Sequence, residues 1–98
     1  MARFDVYHFS GGGLVVDCQA DDFDDIGTRF VIPLMPPGEI PPTNRRLNPS
    51  FDVNGETLFM LSQFATAVRT VELKSRVCSL AQHHIAIITA IDTLVGSY

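Results

Sequence analysis

The residues of this chain able to do chemistry are three histidines, a run of aspartates, two cysteines and a glycine triplet. His83 and His84 are consecutive, and neighbouring side chains on a helix diverge by about 100°, so they do not chelate one ion from a single face as an i, i+4 pair would. The reading is one solvated and one packed histidine. His8 lies in a strand-like stretch with no Cys, Asp or Glu that sequence alone sets beside it, which makes it a sheet-face residue. Asp21, Asp22, Asp24 and Asp25 supply the oxygen density a hard cation such as Ca²⁺ takes, but they lack the Asp-x-Asp-x-Asp-Gly order, and a solvated acidic turn is the better reading. Gly11-Gly12-Gly13 precedes a strand, whereas a phosphate cradle opens a helix. There is no Gly-x-Ser-x-Gly and no Cys-x-x-Cys. Cys18 and Cys78 lack metal-ligand spacing and read as small core thiols. Residue chemistry therefore points to no catalytic residue, no metal and no cofactor, and to a non-enzymatic binding module.

The elements that would carry such a module are legible as changes of period. Phe4, Val6 and His8 alternate with Asp5, Tyr7 and Phe9, and the glycine triplet joins them to Leu14-Val15-Val16-Asp17-Cys18-Gln19 as a β-hairpin. Asp21-Asp22-Phe23-Asp24-Asp25 repels itself too strongly for a sheet, so it is a surface loop carrying one aromatic, Phe23. Arg29-Phe30-Val31-Ile32-Pro33-Leu34 predicts a third strand whose proline lacks a donor, at an edge, a bulge or a strand switch. Residues 35–49 hold Pro36, Pro37, Pro41, Pro42 and Pro49 and form a long semi-rigid loop. Asn54-Gly55 supplies the two positive φ angles of a type I′ turn between Ser50–Val53 and Glu56–Leu61. Val68–Leu73 alternates as further strand. Ser79-Leu80-Ala81-Gln82 fits a capping box, which predicts a helix from about Leu80 to Val95, closed by Gly96 in the left-handed conformation. Leu80, His84, Ile87, Ile88, Ile91 and Val95 would form its buried face. Ile85, Ala86, Ala90 and Leu94 widen the stripe beyond the ~100° that one sheet covers, so a second chain or nearby loops should cover the rest. About six strands and a terminal helix result.

Composition sets the outer limits. Ninety-eight residues make one domain, 1–98, burying roughly 65% of the unfolded surface. At 46% hydrophobic and 18% charged the chain is too apolar for a disordered tail, and no apolar run reaches the ~18 residues of a membrane span. The first six residues form no secretory signal, so the expected location is cytoplasmic. Residues 1–28 carry net −5 and residues 29–98 net +1, with one lysine and one adjacent pair of arginines. That distribution is a poor footprint for phosphate backbones, and direct nucleic-acid binding is not expected.

Leu14-Val15-Val16-Asp17-Cys18-Gln19, Asp21, Gly27 and Arg29-Phe30-Val31-Ile32-Pro33-Leu34 resemble the N-terminal half of CcdB toxins, which poison DNA gyrase. Phe4-Asp5-Val6-Tyr7 is similar to that family's first strand, the hairpin from Asn48-Pro49 to Leu61 sits at the matching place, and Ala90-Ile91-Asp92 resembles the end of its helix. The resemblance implies a mainly β, SH3-like barrel of the CcdB/MazF (Kid) type, with an antiparallel main sheet, a small accessory sheet and one C-terminal helix, assembled as a homodimer. It implies a plasmid-maintenance toxin of a type II toxin–antitoxin module. Such a toxin binds the DNA gyrase A subunit, traps the cleaved-DNA intermediate, is neutralised by a CcdA-like antitoxin and co-represses its operon only in that complex. Carried over by position, the gyrase-contacting residues would be Asp22, Phe23, Asp92, Val95, Gly96, Ser97 and Tyr98.

Two departures bear on that set. Well-known members end in Trp-Gly-Ile where this chain has Gly96-Ser97-Tyr98, and the loop pair is usually aliphatic where this chain has Asp22. An antitoxin-binding homologue with a weakened or lost gyrase contact is therefore an alternative. A MazF-like ribonuclease on the same barrel is another, for which Arg29, Thr28 and His8 are the candidates.

Overall fold

In the computed structural model, which describes residues 1–38 and 44–96, the first two runs form the expected hairpin, β1 (Asp5–Phe9) and β2 (Leu14–Asp17). Gly12 and Gly13 turn it with φ of 101° and 77°, values that side chains other than glycine's rarely tolerate. β3 (Thr28–Met35) pairs with β2 along one side. Along the other it pairs first with β6 (Thr66–Arg69) and then with β5 (Glu56–Met60). Pro33 stands where β3 changes partner, so its missing N–H breaks no ladder, and its carbonyl accepts from the Leu61 amide at 3.0 Å. Of the three expected placements, the strand switch is the one found. β4 (Ser50–Val53) and β5 are joined through Asn54 (φ 53°) and Gly55 (φ 87°), both positive as a type I′ turn requires.

The strands form one antiparallel sheet in the order β4-β5-β3-β2-β1-β7, with β6 against β3. It curls into a half-barrel of the SH3-like type, and the β4–β5 hairpin continues the same sheet at one end. The seventh strand, β7 (Leu73–Ser79), was not legible in the sequence. Lys74, Ser75 and Arg76 are all exposed on it, and its pairing with β1 shifts register twice, so no clean alternation marks it. The expected strand over Val68–Leu73 is broken by a single 3₁₀ turn at Thr70–Glu72. There the Thr70 amide reaches the Gly27 carbonyl and the Ser10 amide the Glu72 carbonyl, turning the chain into β7.

The core follows from register. Val6 faces Val16, and Val16 faces Ile32, so one row of fully buried β-branched residues crosses three strands beneath the helix. Phe4, Leu34, Phe51, Val53, Leu58, Met60, Leu80, Ile87 and Ala90 join that cluster, with Cys18 buried in it and Cys78 half-buried against it. Tyr7, Val15, Val31 and Leu73 form a second cluster on the opposite face.

The helix differs from its expected form in three ways. Its regular part, α1 (His84–Val95), begins four residues late, after a 3₁₀ turn at Ala81–His83. Ser79 Oγ accepts from the Ala81 amide at 3.1 Å, but the Gln82 side chain contacts His83, so the reciprocal half of the capping box is missing. Buried Leu80, whose amide donates to the Phe4 carbonyl at 2.8 Å, has non-helical backbone (φ −107°, ψ 21°), as does His83 (φ −104°, ψ 19°), and regular helix begins only after the second of these. The buried face is Ile87 and Ala90, flanked by half-buried Ile88 and Ile91, while His84 and Val95 are exposed. Gly96 has the expected positive φ of 82°, but its ψ of 142° is extended rather than left-handed; its amide still closes the last turn onto the Asp92 carbonyl. No helix among the described residues is long and apolar enough to cross a membrane. Pro41 and Pro42 of the proline-rich loop lie outside the described residues.

Candidate functional site

The acidic loop is built outward from a buried ion pair. Arg29 points into the protein with no exposed surface; its Nε donates to Asp17 Oδ2 at 2.8 Å and its Nη2 lies 2.6 Å from the same oxygen. Asp17 is equally buried, and its Oδ1 accepts from the Gln19 amide at 3.1 Å. Burial pushes the Asp17 carboxyl above its ordinary range, against the opposing pull of Arg29 and the Gln19 amide. For Arg29 burial alone would lower the pKa, but the bond to Asp17 and the charges of Asp17 and Asp24 overcome it and raise it. The guanidinium is thus held charged. Its Nη1 continues outward to Asp24 Oδ1 at 2.7 Å, and so reaches the loop.

Asp21–Phe23 form one 3₁₀ turn with no buried residue. Asp21 Oδ1 accepts from the Arg3 amide at 2.9 Å, and the Arg3 guanidinium donates to the Cys18 carbonyl. Asp22 is exposed and Phe23 is 56% exposed, which agrees with a surface loop presenting one aromatic. Ile26 and Phe30 are also exposed nearby in the chain. Sequence reasoning missed that Asp24 is paired and that Arg29 is internal. A basic residue at the second position of an apolar strand, twelve residues after an aspartate inside another, was the available signal.

At the helix end, Asp92, Leu94 and Val95 are exposed, and Val95 shows 69% of its surface. Asp92 borders a shallow polar depression with Arg46, Thr89 and Thr93. Ser97 and Tyr98 lie outside the described residues. Among the described residues no hydrogen bond or ion pair links Asp22 or Phe23 to Asp92, Val95 or Gly96. A third apolar feature, a groove of ≈ 410 Å³, runs over Phe9, Val15, Val31, Pro33, Phe64 and Val68.

The histidines do not converge. His8 is exposed on β1, His83 packs on Phe51 with ring centroids 5.0 Å apart, and exposed His84 places Nδ1 3.0 Å from the Ala81 carbonyl. Among the described residues no three His, Cys, Asp or Glu side chains are grouped to hold a metal. Arg29, a candidate for cleaving RNA, is sealed inside the fold and committed to Asp17.

The class of protein is a small half-barrel with one packed helix, carrying exposed aromatic and aliphatic side chains and a loop braced from within. The family model described as CcdB protein matches residues 3–96, and the chain belongs to that family. It is accordingly a toxin of a toxin–antitoxin system. No curated protein matches the chain.

Proposed function

We propose that this toxin acts on the DNA gyrase A subunit, trapping the cleaved-DNA intermediate, and that it does so without covalent chemistry of its own. Asp22 and Phe23 of the braced loop, with Asp92, Val95, Gly96, Ser97 and Tyr98 at the helix end, would be the gripping surface of a single-domain, cytoplasmic homodimer. A CcdA-like antitoxin would release it. The observation that carries the reading is Phe23, an aromatic left 56% exposed on a turn tied down by the Gln19 carboxamide and, through Asp24, by buried Arg29. A large apolar side chain kept rigid and in water is poised to bury itself in a partner, and aromatic anchors dominate interface energies. Exposed Ile85 and Leu94 fit coverage of α1 by a second copy.

The test is a supercoiling and cleavage assay with purified gyrase. The native chain should accumulate broken DNA, and Phe23→Ala should weaken the effect by about thirtyfold, the loss of a ≥2 kcal/mol anchor, while folding normally. Unchanged turnover and no strand breaks would overturn the gyrase assignment. Gly96 and the exposed carboxylate of Asp22 favour the second reading, a homologue that still binds antitoxin but not gyrase; it predicts antitoxin capture with an inert cleavage assay.

A further inference from the structure

We propose that Gln19 is a positioning residue that sets the turn presenting Phe23, an inference that rests on the loop being a gripping surface. Gln19 follows β2 and is half-buried. Its Nε2 donates to two carbonyls, Phe23 at 2.7 Å and Thr28 at 2.8 Å, and its Oε1 accepts from the Phe30 amide at 3.0 Å. The partners fix which end is which, because two are acceptors and one is a donor. One carboxamide thus ties the tip of the acidic segment to both its return point and the start of β3. The turn has little else of its own. It has two backbone bonds, Phe23 to Ala20 and Asp24 to Asp21, and the Arg3 amide on Asp21 Oδ1 at its first residue, with no side-chain cap and no buried residue. A 3₁₀ turn of three residues with such support frays readily.

Only an amide of this length satisfies the three partners. Glutamate keeps the acceptor for Phe30 but has no hydrogen to give, and would set a negative charge against the Phe23 and Thr28 carbonyls beside Asp21, Asp22, Asp24 and Asp25. Arg29 braces the same loop through Asp24, but it also holds Asp17 in the core, so its removal threatens the whole fold. Gln19 is the brace that can be removed by itself.

The experiment compares the native chain with Gln19→Glu, Gln19→Leu, Phe23→Ala and the Phe23→Ala/Gln19→Glu double variant. Amide hydrogen exchange of Phe23 and Asp24 should quicken about tenfold or more in both Gln19 variants, with Val16 and Ile32 unchanged. Binding to the isolated gyrase A subunit should weaken roughly tenfold, about 1.4 kcal/mol, in Gln19→Glu. The double variant should bind no worse than Phe23→Ala alone, because Gln19 acts through Phe23. Unchanged exchange, or losses that simply add, would overturn the proposal. If the native chain binds no gyrase, the gyrase reading falls by itself, and exchange still decides whether Gln19 sets the turn.

Discussion

Replacing Arg29 by methionine isolates the buried charge on which the acidic loop is built. Arg29 and Asp17 have no exposed surface, and their contact is made at 2.6–2.8 Å. Removing one member strands the other charge out of water, which typically costs about 3–5 kcal/mol. The outward contact to Asp24 adds little, because that carboxylate is 55% exposed and an exposed pair contributes at most ~1 kcal/mol. A 98-residue domain has a total stability of about 5–15 kcal/mol, so Arg29→Met should lose roughly a fifth or more of it. With a urea m-value of about 2 kcal/mol/M, the unfolding midpoint should fall by roughly 2 M. Asp17→Leu should be comparably harmful. The Asp17→Leu/Arg29→Met double variant removes both charges and leaves apolar side chains, so it should recover most of the loss, as apolar replacements of buried pairs commonly do. The Gln19 amide, which loses its Asp17 acceptor, limits how complete that recovery is. Urea denaturation followed by circular dichroism gives all three numbers. A loss under ~1 kcal/mol in Arg29→Met, or additive losses in the double variant, would show that the pair is not the desolvated, mutually dependent unit described here.

Two further outcomes follow from burial. Ile87→Ala should cost about 2–5 kcal/mol because Ile87 is wholly buried beneath the sheet, whereas Ile85→Ala, at a position 71% exposed, should leave the isolated chain within ~0.5 kcal/mol; equal losses would refute the helix orientation. Burial pushes the Cys18 thiol up to about 12, above its unfolded value. Its contribution is therefore complete below roughly pH 8.5 and is lost as pH rises towards the folded value, at up to ~1.4 kcal/mol per pH unit. Urea midpoints from pH 8 to 10 should fall more steeply for the native chain than for Cys18→Ala, and parallel curves would refute it.

Local chemistry alone settled much of this protein. The Asn54-Gly55 hairpin needs two adjacent positive φ angles, which few residue pairs accept, and the self-repelling aspartates around Phe23 belong only at a surface. Pro33 announced an interruption in hydrogen bonding and Gly96 the end of a helix, because a missing donor or a missing Cβ acts without reference to the rest of the fold. What tertiary structure decided was every property that depends on a distant partner. Leu80 is held in the core with its amide on Phe4, seventy-six residues earlier in the chain, in a backbone conformation that is not helical, and α1 starts only after it. β7 is a strand only because β1 offers it an edge. Arg29 is internal only because Asp17 meets it there, and Gln19 braces the loop only because β2 and β3 bring Phe23, Thr28 and Phe30 within reach of one carboxamide. Backbone preference acts over a few residues and is written in them. The pairing of buried polar groups acts through space, and only the closed sheet determines which of them meet.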